Sequence, residues 1–349
     1  MNCAIYTYGG HERGMGHIYQ SRALAEELRK NGAQVRFIAP DVPEGVAKLR
    51  EWGMDVLEIP HQWDDTEKVA HIDRLLAGEL IDVAIVDILE SSPSLMCYWA
   101  QRADLLVSLD DIGAGRGWAD LLINVIHHPE RLPDAQYREI NTLNYVVLRG
   151  EFHRAHQRVK YVPDTVRKLL VSQGGADTFG GILKLAKALD IMPEEVEIHL
   201  LVGPAFRHDG PLAAVVQQSA RHFVLQRDVQ DMAALMQQMD LAITGGGKTL
   251  FELAAVGVPF IALTEEPREL ETTAIVARDL LCENMGLRQE VAPEEIAQTV
   301  QGLLPDRPRR LAMSRSGKEA VDGLGAWRAT REIIAALSAK REMVDGLAL

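Results

Sequence analysis

The feature that most constrains this chain is a loop type that recurs: a short apolar strand, a cluster of glycines, then the start of an amphipathic helix. It occurs at residues 9–16, 174–181 and 245–247. Glycine lets a backbone turn through positive φ and lets a ligand come close. The helix that follows presents free N–H groups and the positive end of its dipole. Three such loops can hold a diphosphate with main-chain groups alone.

Around these loops, short β-branched or apolar runs alternate with longer amphipathic stretches. Strands are expected at residues 3–8, 35–39, 55–59, 83–87, 105–109 and 121–125, with helices at 22–31 and 44–52. The pattern then restarts, with strands at 168–172, 197–202, 222–225, 241–244 and 259–262. Helices are expected at 182–189, 231–238, 249–255 and 273–284. Such alternation predicts an α/β chain with mostly parallel sheets covered by helices. The 349 residues give room for two domains at roughly 150 residues each. We place the N-terminal Rossmann-like domain at 1–160 and the C-terminal one at 161–325. A helix within 326–349 is expected to cross back onto the first. In doubly wound domains the ligand sits in the crevice beyond the carboxyl ends of the strands.

Charge narrows the partners. With 37 Lys+Arg against 50 Asp+Glu, the net charge of −13 argues against a nucleic-acid surface. It leaves a phosphorylated small molecule open, because backbone N–H groups need no lysines. Cys3, Cys97 and Cys282 form neither a disulfide framework nor a Cys-x-x-Cys site. The N-terminus lacks the pattern of a signal peptide, and no run approaches the ~20 apolar residues of a membrane span. A cytoplasmic protein without transmembrane segments is the expectation.

Two nucleotide motifs fail here. Gly245-Gly246-Gly247-Lys248-Thr249 resembles the end of a P-loop, but the earlier glycine falls on Ala242. Gly14-x-Gly16 lacks the third glycine of the dinucleotide fingerprint, since Tyr19 stands there. His17 should open the first helix. It reads either as a base whose neutral form is favoured by the helix N-terminus or as a structural cap. Glu252, one turn inside the helix after the third loop, reads either as a ribose ligand or as a capping-box partner of Thr249. The histidines at 127–128, and His153 with His156, have no cysteines or carboxylates at ligand spacing, so no metal is expected, nor any other cofactor.

At this point a family resemblance enters. Gly14-Met-Gly-His-Ile-Tyr-Gln-Ser-Arg-Ala-Leu-Ala25 resembles the opening motif of the spore-coat polysaccharide and pseudaminic-acid-pathway family of UDP-sugar hydrolases and relatives. Four more segments resemble it in the same order. They are Leu109-Asp-Asp-Ile with Ala119-Asp-Leu-Leu-Ile-Asn124, residues 145–152, Ser172-Gln-Gly-Gly-Ala-Asp177, and residues 240–259. The last is also similar to the donor motif of the peptidoglycan N-acetylglucosaminyltransferases.

The resemblance implies a GT-B fold, two Rossmann-like domains facing across a cleft. It implies that Gly174, Gly175, Gly246, Gly247 and Thr249 contact phosphates and that Glu252 contacts ribose. Main-chain groups near Val224 and Leu225 would read the base, Gly14 and Gly16 would shape the opening loop, and His17 would act at the sugar. The chain departs from the hydrolases in three places. Ile88-Leu89 follows Asp87 without the usual tyrosine, Gln20 replaces an arginine, and residues 264–273 lack an Asn-Gln pair. The carboxylates there, Glu265, Glu266, Glu269 and Glu271, either bind sugar hydroxyls or amines or form a solvated face.

The expected function is therefore transfer of a glycosyl group from a UDP-type nucleotide sugar to a sugar or other small acceptor. The alternatives are a UDP-sugar hydrolase of nonulosonic-acid synthesis, with water as acceptor, and a non-catalytic nucleotide-sugar-binding protein.

Overall fold

Every strand of the described chain runs parallel to its sheet neighbours. The computed structural model describes residues 1–125, 130–133 and 135–347, with side chains as far as 343. The first sheet contains β1 (Asn2–Thr7), β2 (Gln34–Pro40), β3 (Asp55–Ile59), β4 (Ile81–Asp87), β5 (Ala103–Leu109), β6 (Leu121–Ile123) and β7 (Arg138–Ile140). Their order is β3-β2-β1-β4-β5-β6-β7. The second sheet contains β8 (Lys168–Ser172), β9 (Glu197–Leu201), β10 (Phe223–Gln226), β11 (Leu241–Thr244), β12 (Phe260–Thr264) and β13 (Glu283–Leu287), ordered β10-β9-β8-β11-β12-β13.

Each order reverses once, between β1 and β4 in the first sheet and between β8 and β11 in the second. A crevice opens at such a reversal because the connections leave toward opposite faces. Both reversals end in polar pairs: Thr7 lies opposite Asp87, and Ser172 opposite Thr244. The chain divides into two units, residues 1–10, 17–149 and 324–349 in one and 11–16 and 150–323 in the other.

The helix Gly16–Lys30 illustrates how local sequence builds the frame. Its buried residues Ile18, Ser21, Leu24, Ala25 and Leu28 recur at helical spacing. Arg29 and Lys30 complement the dipole in the last turn, and Gly32 at φ +79 ends it. Helices Asp65–Leu75 and Pro93–Arg102 start on side-chain caps from Asp64 and Ser92. Apolar clusters fill both units, around Trp99, Ile38 and Val86 in one and Leu185, Ile243 and Leu263 in the other.

One expected helix is corrected. It runs Leu270–Leu280 rather than to Asn284, because Leu281 adopts φ +55 and the chain leaves as edge strand β13. The last helix, Gly325–Leu347, packs on β5 and β6 of the first unit. Lys340 reaches both Asp120 oxygens at 2.6 Å, and Arg341 reaches Asp104 at 2.7 Å and also Asp82. Among the described residues no helix is long and apolar enough to cross a membrane.

Candidate functional site

In the first unit the strands at the reversal bring His17 and Asp87 together. Asp87 ends β4 and is wholly enclosed. Its Oδ1 lies 2.6 Å from His17 Nδ1 and accepts from Gln20 Nε2 at 2.9 Å, while Oδ2 accepts from Ser21 Oγ at 2.6 Å. An enclosed carboxylate is costly unless its oxygens are paired, and here both are. An accepting carboxylate on Nδ1 places the ring proton there and leaves Nε2 as the basic nitrogen. The His17 side chain is 18% exposed, so that nitrogen sits in a half-buried setting. Gln20 supplies Asp87 with a neutral donor where the resembling family has a cation.

The Leu109-Asp-Asp-Ile segment has a different use. Asp111 is buried and accepts from Ser91 N at 3.0 Å, Ser91 Oγ at 2.5 Å, Ser108 Oγ at 2.8 Å and Gly113 N at 2.8 Å. Asn124 closes the knot, accepting from Asp111 N and donating to Asp111 O. Burial pushes the Asp111 carboxyl up, and the bonds from Ser91 oppose that. Asp110, at φ +47, accepts from Val125 N. These residues lock β5 to β6 and point to architecture rather than chemistry.

In the second unit the two remaining loops follow β8 and β11. Gly174 turns at φ +76. Gly175 is required by packing, since a Cβ there would approach Met15 Cβ to 2.6 Å. The free helix amides expected after this loop are corrected. Asp177 takes them itself, accepting from Gly181 N at 2.6 Å and Ile182 N at 3.1 Å. Burial raises the Asp177 carboxyl to about 6. Of the opening loop, Gly14 turns at φ +75, and a Cβ on Gly16 would lie 3.8 Å from Lys248 Cε, an ordinary contact.

The third loop is more open at its far end. A Cβ on Gly245 would come 2.7 Å from Gln173 Oε1, and one on Gly246 would come 2.9 Å from Glu269 Oε2 and Thr273 Oγ1. A Cβ on Gly247 would meet nothing within 4 Å. The helix Thr249–Val256 begins without a side-chain cap, with Lys248 at the N-cap position. The capping-box alternative for Glu252 is thereby corrected: Thr249 stands one position too late to serve as the cap. Glu252 sits one turn in and is half-buried. Val224 and Leu225 lie mid-strand in β10, at the edge of the sheet, rather than at its carboxyl end.

Sequence reasoning raised Glu265 as a ligand but missed the other polar side chains gathered behind these loops. The hydroxyls of Ser172, Thr244 and Thr264, at the ends of β8, β11 and β12, are buried without a hydrogen-bond partner. So are both amide atoms of Gln173, Glu265 Oε1 and Thr273 Oγ1. Native interiors leave few such atoms, so their concentration at one sheet end makes this a candidate ligand site. The signal available earlier was a polar residue closing each apolar strand.

The solvated-face alternative is corrected for two of the four carboxylates. Glu265 is 12% exposed and pairs with Arg288 at 2.8 Å, and Glu269 turns toward Gly246. Burial pushes both carboxyls up, with Arg288 pulling Glu265 back. Glu266 pairs with Arg268 at 2.6 Å at the rim, and Glu271 is exposed. His153 and His156 each bond a backbone carbonyl, of Asp322 and Ala255. The histidines at 127–128 lie outside the described residues. Among the described residues no group of three or more His, Cys, Asp or Glu is placed to hold a metal ion.

Comparison with known proteins bears on this geometry. Residues 172–324, which contain both loops of the second unit, match the glycosyltransferase family 28 C-terminal domain. The match covers most of the second unit. The chain is 26% identical over 339 residues to the spore coat polysaccharide biosynthesis protein SpsG of Bacillus subtilis, covering 95% of this chain and 97% of that protein. Among solved structures it is similar to MurG of Acinetobacter baumannii, with TM-score 0.67 and 15% identity over 96% of this chain and 100% of that one. It is also similar to a UDP-GlcNAc 2-epimerase from Neisseria meningitidis bound to UDP-GlcNAc, with TM-score 0.61 and 11% identity over 97% and 100% of the two chains.

The fold is GT-B, two parallel-sheet α/β domains, as the resemblance implied. The expectation of an enzyme, glycosyltransferase or nucleotide-sugar hydrolase, is borne out as to an enzyme, and the match over residues 172–324 is to a glycosyltransferase domain. A fold that a transferase and an epimerase share does not choose the reaction. That choice rests on side chains.

Proposed function

We propose that the chain is a nucleotide-sugar-dependent glycosyltransferase that cleaves the anomeric C–O bond of a UDP-type donor and passes the sugar to a hydroxyl acceptor. The observation that carries this reading is His17 Nδ1 at 2.6 Å from the enclosed Asp87 carboxylate. Asp87 positions the ring, and Nε2 of His17 takes the acceptor's hydroxyl proton as that oxygen bonds to the anomeric carbon. The bond to the diphosphate breaks and its electron pair leaves with the phosphate oxygen. Main-chain N–H groups at Gly246, Gly247 and Thr249, on an uncapped helix start, suit the charge that develops there.

In this reading Gly174 and Gly175 also border the phosphates, Glu252 accepts from the ribose, and main chain around Val224 and Leu225 reads the base. The likeness to SpsG supports polysaccharide biosynthesis as the setting. Transfer is favoured over hydrolysis because the tyrosine, arginine and Asn-Gln pair typical of the resembling hydrolases are replaced by Leu89, Gln20 and the Glu265–Glu269 segment.

The test is to incubate the purified protein with UDP-, CMP- and dTDP-sugars, with and without cell extract, and to follow nucleotide release. Release that depends on extract supports transfer. Release without extract turns the reading to hydrolysis, and binding without turnover turns it to a non-catalytic receptor.

A further inference from the structure

The cluster of buried polar side chains behind the glycine loops of the second unit carries chemistry that a diphosphate does not use. Gln173 is 7% exposed, and neither its amide nitrogen nor its amide oxygen has a partner. Glu265 places Oε2 on Arg288 and leaves Oε1 buried and bare. The two side chains meet at one point, because a Cβ on Gly181 would clash with Glu265 Oε1 and come 2.8 Å from Gln173 Cγ. Gly245 borders the same spot from the carboxyl end of the neighbouring strand, where an added Cβ would come 2.7 Å from Gln173 Oε1. Glu269 and Thr273, whose hydroxyl is also unpartnered, lie against Gly246 next along the loop.

We propose that the donor sugar carries a free, protonated amino group, received by Glu265 Oε1, with Gln173 bonding a neighbouring hydroxyl. The inference rests on the nucleotide-sugar reading of this unit and names its substrate class. Charge favours an amine at this place. Asp177, Glu265 and Glu269 stand around loops whose amides are to receive a dianionic diphosphate. Arg288 already engages Glu265, and Lys184 Nζ is bonded to the carbonyls of Arg288 and Val291.

A neutral sugar hydroxyl would satisfy one bare oxygen and leave that negative charge standing. An ammonium both donates to Glu265 and offsets the charge, and a carboxylate beside a cation forms the stronger bond. An N-acetyl group offers Glu265 only a neutral N–H, and its carbonyl and methyl add bulk where glycine is already required at Gly181 and Gly245. Gln173 complements the ammonium because its amide can both donate to and accept from an adjacent hydroxyl.

The experiment measures dissociation constants of the intact protein for matched sets of UDP- and dTDP-hexoses. Within a set, one ring position carries a hydroxyl, a free amine or an N-acetyl group, with the 2-amino and the 4-amino-4,6-dideoxy series both included. The free-amine member of one set is expected to bind at least about tenfold tighter than its two partners. Glu265→Gln is expected to shrink that preference to about threefold or less while affinity for UDP or dTDP alone stays within about twofold. An amine that binds no tighter in any set overturns the proposal, as does a Glu265→Gln protein that keeps the preference. Should neither UDP nor dTDP bind the wild-type protein, the nucleotide reading fails and this inference with it. The wild-type comparison decides the matter even where the variant is unstable.

Discussion

His17 Nδ1 and Asp87 Oδ1 lie 2.6 Å apart although 70 positions separate them in the chain. The contact exists because β1 and β4 are neighbours at the point where the sheet order reverses, with Thr7 opposite Asp87. A histidine one residue into a helix has considerable ring freedom. A carboxylate held by Ser21 and Gln20 removes that freedom and sets which nitrogen carries the proton.

His17→Ala should lower turnover by about 10²–10⁴-fold and leave nucleotide affinity nearly unchanged, the usual size of an acid–base contribution. Asp87→Asn should fall in the same range, because an amide can donate to Nδ1 and select the wrong tautomer. Single-turnover rates with nucleotide titrations separate the two effects. A loss of nucleotide affinity in His17→Ala would make the residue a phosphate contact or a structural cap.

A pH dependence of stability follows from Asp177. Its folded-state pKa of about 6 lies above the ordinary 3.8, chiefly through burial, with the amides of Ile182 and Gly181 opposing and with Glu265 and His208 facing it. A carboxyl with a raised folded pKa contributes stability that is complete below the unfolded value and lost as pH rises through the folded one. The window is therefore about pH 4 to 6. Two pKa units correspond to about 3 kcal/mol. The stability of wild type relative to Asp177→Asn should fall by about that much between pH 4 and pH 7, read from urea midpoints of both proteins. A constant difference across that range would remove Asp177 as the titrating group.

How far the fold was legible depended on whether its cause was local. Strands β3, β8 and β11 match their expected ranges because each is a short apolar run bounded by turn residues, a signal contained within the strand itself. The end of the helix Leu270–Leu280 was not legible, since Leu281 in a left-handed conformation is an uncommon choice that tertiary context imposes. At the candidate site the glycines and His17 were visible as motifs. Asp87 entered the sequence reading only as the residue before a missing tyrosine. Its role comes from pairing between distant strands. Glu265 was visible as one of four carboxylates open to a sugar, but its meeting with Gln173 was hidden for a related reason: the two come together only when β8, β12 and the helix at Gly181 are assembled.

The helix Gly325–Leu347 tests whether ion pairs or apolar packing hold it to the first unit. Lys340 and Arg341 make bonds to Asp120, Asp104 and Asp82, but their side chains are 36% and 47% exposed. Exposed pairs are worth about 0–1 kcal/mol and weaken with salt. Ile333 is fully buried, and truncating such a side chain costs about 2–5 kcal/mol. Ile333→Ala should therefore destabilise the protein more than Lys340→Ala and Arg341→Ala combined. Denaturant titrations at low and high salt check both parts, and a larger effect of the charge variants would reverse the ranking.

Gly246 and Gly247 separate two reasons for a glycine. A Cβ on Gly246 would press on Glu269 and Thr273 at 2.9 Å, so Gly246→Ala is expected to disturb the loop itself and lower both stability and nucleotide affinity. A Cβ on Gly247 would meet nothing within 4 Å, and the residue has no positive φ to require glycine. The folded protein alone gives no reason for glycine there. A diphosphate approaching the backbone at the start of Thr249–Val256 does, because a methyl would hold it away from the amides. Gly247→Ala should leave the thermal midpoint within about 2 °C of wild type while weakening UDP or dTDP by about tenfold or more. Unchanged nucleotide affinity in a stable Gly247→Ala protein would remove this loop from the phosphate site.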